Sequence, residues 1–323
     1  MKSTAYRWLI ISASVLLMSA LVAYAGPNRI AAKLLALDTQ WIWLTLLSIP
    51  LATLLGCINL YILLTAKNRI GFISFLEVYW LSWAIGLIAP GQVGDLATIS
   101  LALQKRGIKI SIILGRSILD KLISLAVMLC ISIYALHILV NPTKWTCNFA
   151  HWPVVFFGVV LVGLLCSIRL KSSYTHRSPR LQRFLDEVCN TANEVTVAIK
   201  TSGSKILLNG LLTSVKVSLI GLAYWAMFVS LGYKTIHLQE TTAFATLAGL
   251  AAYIPISLNG FGTVEALSIP LFGYLGIHPA DVLAAYLGLR FIVLALAWIP
   301  ILSWALLYSK HNLISHKHEQ RPL

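Results

Sequence analysis

Acidic side chains are scarce in this sequence: 11 Asp and Glu stand against 25 Lys and Arg over 323 residues, and only 11% of the chain is charged. With 58% hydrophobic residues and a mean hydropathy of +0.82, the composition excludes an ordinary soluble domain and indicates an all-α polytopic membrane protein. Cysteine is sparse too. Only Cys147 of the five (Cys57, Cys130, Cys147, Cys166, Cys189) falls in an outside loop, so neither a disulfide framework nor a Cys-rich metal motif is indicated. No P-loop occurs, which excludes direct drive by ATP through that device. The formal charge of +14 would suit nucleic acid, but basic loops flanking membrane spans account for it. No cofactor, metal or nucleic-acid partner is expected.

Apolar runs mark six full spans: Trp8 to Ala25, Trp41 to Leu64, Ile110 to Val140, Pro153 to Ile168, Ile206 to Leu231 and Val282 to Tyr308. The first is near full spanning length and is followed by many others, so it reads as a span rather than a cleaved signal peptide. Lys and Arg fall mostly on one side. Lys2, Arg7, Lys67, Arg69, Lys105, Arg106, the basic loop 169–205 and the tail from Lys310 share it, while Arg29, Lys33, Lys144 and Lys234 lie opposite. That asymmetry places both termini and the basic loop in the cytoplasm of an inner-membrane protein. Within the loop, Arg180 to Lys200 has helical spacing and reads either as a helix along the inner membrane face or as a solvated linker helix.

Two further apolar segments are broken in the middle. Pro255-Ile-Ser-Leu-Asn-Gly-Phe-Gly-Thr-Val-Glu265 splits Thr241 to Leu275, and Pro90-Gly-Gln-Val-Gly-Asp95 splits Ile73 to Gln104. Each half is shorter than the roughly 20 residues a span needs, so both read as re-entrant helical hairpins. Backbone freed at the breaks cannot face lipid and must line protein or a wet cavity. The flanking charges send the first hairpin in from inside and the second from outside. Span, hairpin, span thus recurs in opposite orientation, at about 41–140 and 206–308, the layout of an inverted repeat within one domain covering 1–323.

Eight ionisable residues sit inside apolar segments: Glu77, Asp95, Arg116, Asp120, Lys121, Lys216, Glu265 and Arg290. At a lipid-facing midplane each would cost about 2.5–3.5 kcal/mol, so they face inward, pair, or reach an interface. Arg116 and Lys216 are near enough to helix ends to snorkel. Adjacent side chains diverge by about 100° on a helix, so Asp120 and Lys121 need different partners. Asp95 and Glu265 each follow a glycine break, where a carboxylate caps a helix N-terminus; the alternative is that they carry a proton or hold a base. Helix N-termini at the breaks, with Arg290, Arg116, Lys121 and Lys216 nearby, suit an anionic group on an apolar molecule, such as a phospholipid or polyprenyl phosphate.

These motifs carry a resemblance. Pro90-Gly-Gln-Val-Gly-Asp95, Gly107 and Leu119-Asp-Lys-Leu122, then Pro255 to Glu265 and Arg290, resemble the paired motifs of the lysylphosphatidylglycerol synthetase transmembrane region family, the flippase-like proteins. Lys121 replaces the usual arginine and loses its bidentate fork, and Asn259 replaces the first glycine of a Gly-Gly pair. The resemblance covers nearly the whole chain and implies a stand-alone member without the cytoplasmic synthase domain of its best-understood relatives, which flip aminoacylated phosphatidylglycerol.

The leading function is therefore translocation of an anionic or aminoacylated phospholipid, or a polyprenyl-phosphate-linked lipid, between leaflets. Binding would fall to Arg290, Lys121, Arg116, Lys216, Gly94, Asn259, Gly260 and Gly262, with Asp95, Glu265, Asp120 and Glu77 as coupling or structural carboxylates. A transferase would need an accessible acidic pair, and the outside loops offer only isolated Asp38, Glu240 and Asp281, so an enzyme is not expected. The remaining alternative is a non-transporting membrane partner of a lipid-modifying enzyme or glycosyltransferase. A homo-oligomer is left open.

Overall fold

A computed structural model describes residues 2–64, 70–89, 93–140, 179–254 and 257–319. The expected span Pro153 to Ile168, the start of the basic loop, Cys147, Cys166 and the break residues 90–92 and 255–256 lie outside them. Among the described residues, eleven helices follow one another: α1 Lys2–Ala25, α2 Pro27–Leu35, α3 Thr39–Leu64, α4 Phe72–Gly86, α5 Val93–Gln104, α6 Ile110–Val140, α7 Pro179–Thr201, α8 Gly203–Ser230, α9 Leu238–Gly249, α10 Thr263–Gly273 and α11 Pro279–Glu319. A 3₁₀ turn, Leu250–Tyr253, extends α9.

Four of these are long and apolar enough to cross a membrane: Thr39–Leu64, Ile110–Val140, Gly203–Ser230 and Pro279–Ser303. A fifth candidate is the pair Ile10–Ala25 and Pro27–Leu35, bent by 82°. Gly26 at φ 90 makes that bend, and Pro27 starts the next helix at a position where its missing N–H is no loss.

The helices α3 and α8 form the spine. Asp38 donates its backbone N–H to Ser230 O at 3.0 Å, Thr45 Oγ1 donates to Ala223 O at 3.3 Å, and Asn59 Nδ2 donates to Thr213 Oγ1 at 2.9 Å. Partners that descend on one helix as they ascend on the other make the pair antiparallel. Small residues let neighbours close in, the usual means of packing helices in lipid. A Cβ on Gly56 would run into the Tyr79 hydroxyl, and one on Gly221 into Thr242.

The two hairpins hang from opposite ends of this spine. At the Leu64 end, Leu60 and Leu64 of α3 share an apolar cluster with Phe75 of α4, Leu103 of α5 and Ile113 of α6, so α4 and α5 leave and return at that end. At the Ser230 end, Phe228 of α8 clusters with Phe244 of α9, Phe272 of α10 and Val282 and Tyr286 of α11. Helices of 15, 12, 12 and 11 residues are too short to cross, so each hairpin stops inside the bundle.

Outside this frame, the helix α7 of the basic loop packs on the bundle. Its Val195 and Ala198 are buried against Leu63 of α3 and Leu119 and Ile123 of α6, giving it a face on the protein itself. Gly115 is what allows this approach, because a Cβ there would lie 2.9 Å from that of Glu194. At the other end, Lys33 of α2 pairs with Asp281 of α11 at 3.0 Å, and the Tyr233 hydroxyl donates to the same carboxylate at 2.6 Å. Burial and that hydrogen bond push the Tyr233 phenol up to about 12, so it stays a donor at neutral pH.

Candidate functional site: a cavity where the hairpin tips meet

The second hairpin turns through three residues of positive φ, Asn259 at 44, Gly260 at 75 and Gly262 at 87. Glycine adopts this conformation freely, and asparagine tolerates it better than most residues. Beyond the turn, Glu265 is wholly buried and uses both oxygens. Oε2 accepts the Gly262 N–H at 2.8 Å, capping α10, and Oε1 accepts Nε of Arg290 from α11. Arg290 Nη1 reaches Asn259 O at 3.4 Å, and its guanidinium stands 5.5 Å from the centre of the Phe261 ring. The turn is also held from α1, where Ser14 Oγ accepts the Leu258 N–H at 3.0 Å and Leu17 covers Gly262.

The first hairpin repeats the plan. Asp95, like Glu265, is the third residue of its half-helix, and Oδ2 accepts Lys121 Nζ from the next long helix at 2.8 Å. Ser82 of α4 donates to the Asp95 carbonyl, which closes the two arms. Gly86 faces Asp95 closely, and Gly94 faces Ala89 so closely that a Cβ would run into that of Ala89.

Both tips open onto one cavity of about 420 Å³, within the range of small-ligand sites. The spine, both hairpins, α6 and α11 contribute walls. Leu60, Ile49, Met128 and Leu289 make them apolar, and Tyr79, Trp83, Tyr224 and Tyr253 add aromatic faces. Asp95, Asp120, Lys121, Lys216, Asn259 and Arg290 bring charge and polarity to the same space, with Glu265 behind Arg290. Asp120 and Lys121 do take different partners: Asp120 Oδ1 accepts Asn209 Nδ2 at 2.8 Å while Lys121 turns to Asp95. Lys216 Nζ donates to Ser124 Oγ at 3.4 Å.

The other sequence candidates are placed elsewhere. Arg116 does not line the cavity and does not snorkel; it is 4% exposed, one turn nearer the start of α6, where α7 covers it, and its Nη1 has no hydrogen-bond partner among the described residues. Glu77 is exposed on α4, away from the cavity. Gly94, Gly260 and Gly262 shape the tips but form no part of the wall, since the space where their side chains would be is taken by Ala89, Val264 with Ala252, and Leu17.

Residues missed by the sequence reading are the neutral polar ones. Asn59, Asn209 and Thr213 form a fully buried seam between α3 and α8 that orients Asp120, and Tyr79 and Ser124 face the charged groups. Two asparagines inside apolar runs were a usable signal, because a buried amide must find partners.

No curated protein matches the chain. The sequence profile of the lysylphosphatidylglycerol synthase TM region, however, matches residues 9–301, spanning both hairpins and the long helices that frame them, and the chain belongs to that family.

Proposed function

We propose that this protein moves a lipid with an anionic headgroup between membrane leaflets, the headgroup passing through the cavity while the acyl chains stay in the bilayer. One observation carries the reading: broken helices from opposite ends of the bundle share one apolar-walled cavity, into which the long helices bring the cationic groups of Lys121, Lys216 and Arg290. Such a site, between inverted elements, can face either end by a shift of one element against the other. Membership in a membrane family of lipid-related function supports it. The excess of Lys and Arg in the loops at the Leu64 end would set that end, and both termini, in the cytoplasm of an inner membrane.

Within this reading Lys216 is the headgroup anchor. It lines the cavity, its hydroxyl contact is long, and as a compact point charge it suits a phosphate. Leaflet exchange of fluorescent phosphatidylglycerol in proteoliposomes, read by quenching from outside, tests both statements. The protein should accelerate exchange, and Lys216→Met should slow it by about ten- to hundredfold, the worth of a hydrogen bond to a charged group. No acceleration for any anionic lipid by folded protein would refute the proposal.

A further inference from the structure

The cavity is electrically balanced. Lys121, Lys216 and Arg290 are met by Asp95, Asp120 and, behind Arg290, Glu265, so among the described residues the empty site has as many carboxylates as cations. An anionic headgroup that engages Lys121 or Arg290 therefore displaces a carboxylate from its ion pair. The displaced carboxylate then faces the headgroup's like charge inside the bundle, which favours its neutral form, and taking up a proton removes the repulsion.

Geometry selects which carboxylate responds. Glu265 is wholly buried, and its oxygens hold the Gly262 amide and Arg290, so its negative charge is part of the turn. Asp120 is tied to the Asn209 amide. Asp95 is 32% exposed, lines the cavity, and among the described residues its remaining oxygen meets only the N–H of the following Leu96. Around Asp95 stand Lys121 and Asp120 on α6, Tyr79 on α4, Lys216 on α8 and Tyr253 from the second hairpin.

We propose that Asp95 takes up one proton when an anionic headgroup replaces it on Lys121, so that headgroup and proton occupy the cavity together. This rests on the translocase reading and adds its coupling ion. The loaded and empty sites then carry equal charge, and a proton gradient biases the direction of lipid movement.

Titration calorimetry of the full-length protein with dihexanoyl phosphatidylglycerol, in two buffers of different ionisation enthalpy, counts the protons. The phosphodiester of this probe does not titrate at neutral pH. About one proton should be taken up per lipid bound, with affinity falling as pH rises by up to about tenfold per pH unit. Asp95→Asn should bind the lipid with no proton uptake and no pH dependence, while Glu77→Gln, exposed and away from the cavity, keeps the wild-type count. Lipid binding by the wild type without proton uptake, uptake that persists in Asp95→Asn, or affinity that follows Na⁺ instead of pH would overturn the coupling and leave the cavity reading standing. Absence of binding by folded protein would remove both. The wild-type count stands without any variant.

Discussion

In the second hairpin the acid is sealed: Glu265 has no exposure, caps its own helix, grips Arg290, and lies under a turn that α1 holds through Ser14 and Leu17. In the first, the equivalent acid is one-third exposed, while the two bases are alike, Lys121 at 24% and Arg290 at 23%. The plan is the same, an acid at the third residue of a half-helix bonded to a base on the following long helix, but the two copies are fastened to different depths. A buried pair is expensive to break, whereas a partly exposed one exchanges partners at little cost. The second hairpin therefore reads as the fixed wall of the cavity, and the first carries the ion pair that can respond to a ligand.

The sharpest way to break this comparison is to strip the base from each pair. Arg290→Ala leaves Glu265 buried without a counter-charge and should lower stability by about 3–5 kcal/mol, whereas Lys121→Ala should cost about 0–1 kcal/mol. Denaturation of the two purified variants in the same detergent measures both; equal losses would mean that the hairpins are fastened alike.

The turns offer a second, smaller contrast. Gly260 sits at φ 75 with Ala252 2.9 Å from where a Cβ would lie, and Gly107, which ends the first hairpin, has a similar φ of 84 in open space. Gly260→Ala should cost about 1–3 kcal/mol, combining strain and collision. Gly107→Ala meets strain alone, at about 1–2 kcal/mol. A larger loss at Gly107 would contradict the packing described for the second turn. A further small effect is expected at the Ser230 end, where Tyr233→Phe removes one hydrogen bond to Asp281 but leaves the Lys33 pair, for about 0.5–1.5 kcal/mol in the same assay.

Much of this arrangement was legible in the sequence for one reason. Proline and glycine in the middle of apolar runs announce broken helices, because a continuous span has no use for them, and basic flanks show from which end each hairpin enters. The divergence of Asp120 and Lys121 followed from helical geometry alone. Pairing was not legible, since Asp95 meets Lys121 and Glu265 meets Arg290 only because separate helices converge, and nothing local encodes that distance. Arg116 shows the same limit: its charge drew attention to the headgroup, yet Gly115 beside it, which admits α7, decides where it sits. The cavity wall depends as much on neutral residues such as Asn209 and Ser124, which a search for ionisable groups passes over.

The central claim, that tips from opposite ends share one cavity and that lipid passes through it, is tested most directly by bridging them. With the native cysteines replaced, Leu96→Cys on the first hairpin and Thr246→Cys on the second both face the cavity and can be joined by a bifunctional thiol reagent. The account predicts that the bridge forms within one chain and stops leaflet exchange, which either single cysteine treated alike leaves intact. Failure to bridge, or full exchange in the bridged protein, would contradict it.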